Sequence, residues 1–166
     1  MKTSRGRKTP EVVLRRVLKR YPDLTYRGLS GVDRRLKIFS EERAASIRRE
    51  HEAMLTPAAL DQFERCCRWL EKQPRTTKVH PQSGNSYSLK EEVEQESGYV
   101  TSGMFIAAAI ACGYQVAQAG SGCRHAYLNI GQLRPTNPNL HLLTSKKQPF
   151  AHYSPRGPRR GEPRRR

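Results

Sequence analysis

The chain has 166 residues and a formal net charge of +16, from 31 Lys and Arg against 15 Asp and Glu. That length holds one ordinary domain with attachments and excludes a large multidomain enzyme, while the charge favours a polyanionic partner, nucleic acid first. The longest uncharged apolar run, Met104 to Cys112, is far short of the ~20 residues of a membrane span, and Met1 to Lys8 lacks the apolar segment of a secretory signal, so a cytoplasmic protein with reduced thiols is expected.

Charge divides the chain into three. Residues 1–55 carry 15 basic and 7 acidic side chains, 56–133 carry 7 of each, and 134–166 carry 9 and 1. A neutral middle is long enough to fold and the flanks are too charged to bury much, so the expected organisation is a basic helical N-terminal extension (1–55), a core (56–133) and a Pro/Arg-rich disordered tail (134–166).

In chain order, Lys2, Arg5, Arg7 and Lys8 form a basic arm. Thr9-Pro10-Glu11 reads as a helix start, with a cap, a proline at the first helical position and an acid against the dipole. The helix is predicted to reach Tyr21, with Leu14, Val17, Leu18 and Tyr21 on one side and Arg15, Arg16, Lys19 and Arg20 on the other. Asp23 to Phe39 reads as a loop or short irregular element. A solvated helix follows from Ser40 to Leu55 and a third from Thr56-Pro57 to about Lys72, with Leu60, Phe63, Cys67 and Leu70 as its core face.

Arg75 to Asn85 is a polar connection. Ser88-Leu89-Lys90-Glu91 matches a capping box and predicts a short helix to about Glu96. Thr101 or Ser102 can cap a last helix that stops at Gly113 and is apolar on nearly every side. Tyr114 to Ala119, a Gly120-Ser121-Gly122 turn and Cys123 to Ile130 read as a hairpin with Ala126, Leu128 and Ile130 on one face. This order of elements predicts an α+β, winged-helix-like core of three helices and a β-hairpin.

A groove-reading helix presents polar or basic side chains to base edges. Met104 to Ala111 supply none, so core contacts to nucleic acid are expected only from Lys90, Thr101, Ser102, Arg124 and His125. The arms carry the stronger expectation: Arg156, Arg159, Arg160, Arg164, Arg165 and Arg166 can follow phosphates with the N-terminal Lys2, Arg5, Arg7 and Lys8 and the helical Arg15, Arg16, Lys19 and Arg20. His80, Cys112, Cys123 and His125 lack the paired spacing of a zinc knuckle, and no metal or other cofactor is expected. Cys123 and His125 are the nearest approach to a nucleophile and base, without an orienting acid. No phosphate loop, nucleophile elbow or carboxylate pair in an apolar setting is present, so the protein is expected not to be an enzyme.

The stretch Ser86-Tyr87-Ser88-Leu89-Lys90-Glu91-Glu92-Val93-Glu94, then Tyr99-Val100-Thr101-Ser102-Gly103-Met104-Phe105-Ile106-Ala107-Ala108-Ala109-Ile110 and Gly113-Tyr114, resembles a pattern in small uncharacterised bacterial proteins, many associated with plasmids or phages. The resemblance implies a bacterial, mobile-element context and a shared fold, and carries over no catalytic residue. Taken with the charge, it leads to the expectation of a non-enzymatic accessory protein that binds nucleic acid, DNA before RNA. Two alternatives stand beside it: a protein-interaction module docking through apolar surface around Trp69 and the hairpin, and an RNA-binding or ribosome-associated protein.

Overall fold

Thr9 is extended and Pro10 sets the first helical φ, so α1 opens there and runs Pro10–Arg20, with Tyr21 as its C-cap. The computed structural model describes residues 9–30 and 41–131. After α1 come β1 (Leu24–Thr25), β2 (Gly28–Leu29), α2 (Glu41–Met54) and α3 (Pro57–Leu70). A 3-10 turn at Pro81–Ser83 then leads to α4 (Ser86–Ser97), α5 (Ser102–Ala111), β3 (Val116–Gln118) and β4 (Ala126–Leu128). Among the described residues the architecture is therefore α+β, with five helices and two antiparallel hairpins. None of these helices is long and apolar enough to cross a membrane.

Helix α5 is the centre of the packing. Met104, Phe105, Ile106, Ala107, Ala108 and Ala109 are all fully buried, because α1, α3, α4 and both hairpins pack against it. Alanines on three successive positions let neighbouring backbones approach closely, which an amphipathic helix with one apolar stripe could not accommodate. The core is thus not confined to residues 56–133. Leu14, Val17 and Leu18 from α1, Leu24 from β1 and Met54 from α2 belong to the same buried cluster as Phe63, Trp69 and Leu128.

Two local expectations are corrected. The first half of the stretch read as a loop or short irregular element folds back as the regular β1–β2 hairpin, Leu24 opposite Leu29 and Thr25 opposite Gly28, because Leu24 is buried and His51 Nε2–H donates to its carbonyl at 2.9 Å. Residues 31–40 lie outside the described residues. The cap of α4 is Asn85 rather than Ser88: Asn85 Oδ1 accepts from the Tyr87 and Ser88 amides at 3.0 and 3.2 Å. Ser88 sits inside the first turn and donates back to the Asn85 carbonyl.

The turn between α4 and α5 is held from both helices. Gly98 takes φ +84° at the C-cap of α4, a conformation glycine adopts without a Cβ penalty. Lys90 Nζ pairs with Glu94 Oε1 at 2.9 Å, and the same oxygen accepts from the Val100 amide at 3.1 Å. From α3, Arg65 donates to the Ser97 carbonyl and, at 3.2 Å, to the Tyr99 carbonyl, while its Nε pairs with Asp61. Replacing Arg65 by Ala removes both hydrogen bonds to a turn that water can partly reach, and a loss of about 1 kcal/mol is expected in urea unfolding. Arg65→Lys should recover only part of it, since one ammonium cannot reproduce the fork.

Strand β4 has neighbours on both edges. β3 pairs with it in the register Val116 to Leu128 and Gln118 to Ala126. On the other side Arg75 bridges Ile130, the Thr76 amide donates to Asn129 O at 2.8 Å and the Gly131 amide to Pro74 O at 2.8 Å. The connection from α3 to α4 therefore touches β4 and its continuation at two isolated bridges, the second between Asn85 and Tyr127.

Candidate nucleic-acid interface

The amphipathic pattern of α1 is realised as expected. Leu14, Val17 and Leu18 are buried, while Arg15, Arg16, Lys19 and Arg20 are exposed. Arg15 is tied to Glu11 at 2.8 Å and Arg20 leans over the Tyr21 ring. Arg16 and Lys19 project from the outer side of the helix.

A second basic surface forms where the β1–β2 turn, α2 and the β3–β4 turn converge. Tyr26-Arg27 turns the first hairpin, and Gly28 follows at φ +121°. A Cβ there would stand 2.5 Å from the Arg124 carbonyl oxygen, so glycine allows the two hairpins to touch through their backbones. The Leu29 amide donates to that same carbonyl at 3.0 Å. The result is a cleft of about 480 Å³ whose charged lining is Arg27, Arg43, Arg124 and Glu50, with Thr25, Ser30 and Ser46 hydroxyls between them.

Among the described residues the lining holds three cations and one carboxylate, and its parts are held in place. Arg43 Nη2 donates to Ser30 Oγ at 2.8 Å. Glu50 is turned toward the hairpin, accepting from the Tyr26 amide at 3.1 Å and lying 4.0 Å from Arg27 Nε. Arg27 and Arg124 are exposed. Guanidinium groups and hydroxyls around a shallow opening suit phosphate oxygens, which accept from planar N–H forks.

The other expected core contacts fare differently. Arg124 lies in the cleft lining. His125 is half-buried, edge-on to the Tyr87 ring with centroids 5.4 Å apart. Lys90 is buried: its ammonium is paired with Glu94 and lies 5.1 and 5.8 Å from the Tyr87 and Tyr99 ring centres. Its charge is spent on the α4–α5 turn and is not presented to a polyanion. Thr101 is buried as well, its hydroxyl capping α5 and its amide donating to Gln62 Oε1 at 3.0 Å. Ser102 is half-buried beside it. Lys2, Arg5, Arg7, Lys8, Arg156, Arg159, Arg160, Arg164, Arg165 and Arg166 lie outside the described residues.

Arg27 and Arg43 are the residues that sequence reasoning missed. The Arg27-Gly28 pair carried a turn signal, but nothing in the linear pattern joins positions 27, 43 and 124. Trp69 also departs from expectation. It is only 5% exposed, packed against Phe105, and its Nε1–H donates to Glu96 Oε1 at 3.1 Å, so its ring is not available as a docking surface.

Among the described residues no three His, Cys, Asp or Glu side chains are grouped to hold a metal ion. No family model matches the chain, and no curated protein or solved structure matches it.

Proposed function

We propose that the protein is a non-enzymatic nucleic-acid-binding accessory protein, DNA before RNA, with a winged-helix-like core and basic arms that supply most of the affinity. The observation that carries this reading is the convergence of Arg27, Arg43 and Arg124 on one cleft of a chain with net charge +16. The outward Arg16 and Lys19 of α1 add to it. Phosphate contacts of this kind give affinity and position without reading bases, which fits a chain whose central helix is apolar and covered.

The winged-helix outline draws support from the order α3, α4, turn, α5, hairpin, and from the Arg75 bridge to Ile130, where a winged helix has its first strand. In this reading the surface of α5 that would enter a major groove is occupied by α1 and the β1–β2 hairpin, so the hairpin turns and not the helix meet the backbone. The resemblance of residues 86–114 to plasmid- and phage-associated proteins favours a setting in the bacterial cytoplasm, on mobile-element or nucleoid DNA.

The test is a salt titration of binding to random-sequence duplex DNA, single-stranded DNA and RNA, with the full chain and with a chain ending at Tyr153. The full chain should bind duplex DNA with a steep slope, and the shortened chain should bind more weakly, with a slope reduced by roughly 0.9 for each phosphate that the arm no longer neutralises. An unchanged slope would remove the arm from the interface. Absence of binding to any of the three at physiological salt would overturn the reading, and tighter binding to RNA would reassign its partner.

A further inference from the structure

The two edges of the β3–β4 sheet differ. Beyond β4 lie the bridges to Arg75 and Asn85, and Ser86 Oγ accepts from the Ala126 amide at 3.0 Å. Beyond β3 the described residues form no bridge. Pairing with β4 extends from Gln115 to Ala119: the Asn129 amide donates to the Gln115 carbonyl at 3.2 Å, and the Ala119 amide donates to the His125 carbonyl at 3.0 Å. Backbone groups alternate along an antiparallel strand, so Gln115, Ala117 and Ala119 face β4, while Val116 and Gln118 turn their N–H and C=O to the outer edge. Among the described residues no backbone hydrogen bond reaches those four groups from outside the sheet. Ala117 and Gln118 are exposed and Val116 is half-buried.

Proteins that stay monomeric guard such an edge with charge, proline or a bulge. This one carries none of the three. Gln115-Val116-Ala117-Gln118-Ala119 is uncharged and free of proline, and its register with β4 is regular. The edge is also complementary to itself. When two copies pair antiparallel about Ala117, Val116 of one meets Gln118 of the other at both ends, and the four outward groups of each chain exchange four hydrogen bonds. Ala117 then meets its own counterpart in the closer, non-hydrogen-bonded position, about 4.5 Å between Cα atoms, where a methyl group fits. Tyr127, opposite Ala117 on β4 and half-buried, flanks the alanine pair from each side. Two chains of formal charge +16 repel each other, and this strand lets them meet without like charges set directly opposite. A second copy thus satisfies every outward group with no other sequence required.

We propose that β3 pairs antiparallel with β3 of a second copy of this chain, making a two-fold symmetric dimer with one continuous four-stranded sheet in the order β4-β3-β3-β4. The contact is isologous, each strand offering the same patch to the other. Its area is below that of a standard interface, so the dimer is weak and forms with rising concentration. The two β3–β4 turns leave the shared sheet at opposite ends, which keeps Arg124 of each chain clear of the contact. The pairing is independent of nucleic-acid binding and is measured without nucleic acid.

The experiment is sedimentation equilibrium of the full chain under reducing conditions, over roughly 5 to 500 µM, the span in which an interface of this size associates. The average mass should rise from that of one chain toward that of two. Ala117→Lys sets two cations at the axis and should hold the protein at the mass of one chain. A second readout places the contact. In Ala117→Cys, mild oxidation followed by peptide mapping without reduction should find the two copies linked through position 117. In Gln115→Cys the substituted positions lie about 13 Å apart along the strands, and no such link should form. A chain that stays monomeric throughout, a dimer that Ala117→Lys leaves intact, or linkage in Gln115→Cys as ready as in Ala117→Cys would overturn the proposal. The unsubstituted chain and the linkage pattern decide it even where Ala117→Lys folds poorly.

Discussion

Replacing Gly103 with Ala is expected to cost about 4 kcal/mol of folding stability, at or above the upper end for overpacking a core. The sign is the informative part. Gly to Ala within a helix ordinarily stabilises by roughly 0.5–1 kcal/mol, and Gly103 stands in the first turn of α5 with no positive φ to protect. Its Cβ, however, would fall on the Thr25 carbonyl oxygen and 2.6 Å from that of Tyr26, both of them backbone. The β1–β2 hairpin would have to lift off, breaking the bond from the Gly103 amide to the Tyr26 carbonyl (3.2 Å) and uncovering Leu24. Urea denaturation of the two proteins reads the difference directly. A stabilised variant would mean that the hairpin does not rest on α5.

For the basic cleft, Arg27→Glu combined with Arg124→Glu should weaken binding to random-sequence duplex DNA by about two orders of magnitude at physiological salt, and lower the salt slope by roughly 2. Both side chains are exposed, and Arg124 meets the first hairpin through its carbonyl oxygen. Stability is therefore expected to fall by no more than about 1 kcal/mol, the cost of losing the exposed Arg27–Glu50 pair and setting a second carboxylate beside Glu50. A Lys90→Gln variant makes the contrast. Lys90 is engaged with Glu94 in a part-buried pair, so its loss should lower stability and leave the salt slope alone. The double variant removes four units of charge and Lys90→Gln one, so a loss of binding free energy in Lys90→Gln of about a quarter of that in the double variant would show that the protein reads net charge and not the cleft.

The helices were legible because their starts are written locally. The helices start at Pro10 and Pro57 and after the Thr101 cap, and α5 stops before Gly113, as the local signals predict, although the Thr9 and Thr56 side chains make no cap hydrogen bond. The β3–β4 hairpin was legible for a similar reason, its Gly120-Ser121-Gly122 turn and alternating Ala126, Leu128 and Ile130 being adjacent signals. The β1–β2 hairpin was not. Two-residue strands have no period to detect, and this one is held from afar, by α5 through Gly103, by His51 and by the Arg124 carbonyl.

Polar core positions were equally hidden. Gln62 gave no sign on its helix of accepting from the Thr101 amide while donating to the Tyr26 hydroxyl at 3.0 Å, a junction of three elements. Lys90 and Glu94 do stand at pairing distance along a helix, yet their burial depends on residues 99 and 100 folding back over them. The cleft arginines come from positions 27, 43 and 124, and only tertiary packing sums their charges.

The seat of α1 on α5 also sets a timetable for synthesis. A ribosome delivers Leu14, Val17 and Leu18 early, but the surface that covers them is made only when residues 102–111 emerge, about 5–20 s later at ordinary elongation rates. Until then the first helix is a basic segment with an unpaired apolar stripe, a form that chaperones hold and that sticks to other nascent chains. Folding of this unit therefore waits until α5 has left the ribosome, and a stop codon placed before α5 should yield an insoluble fragment rather than a shorter working domain.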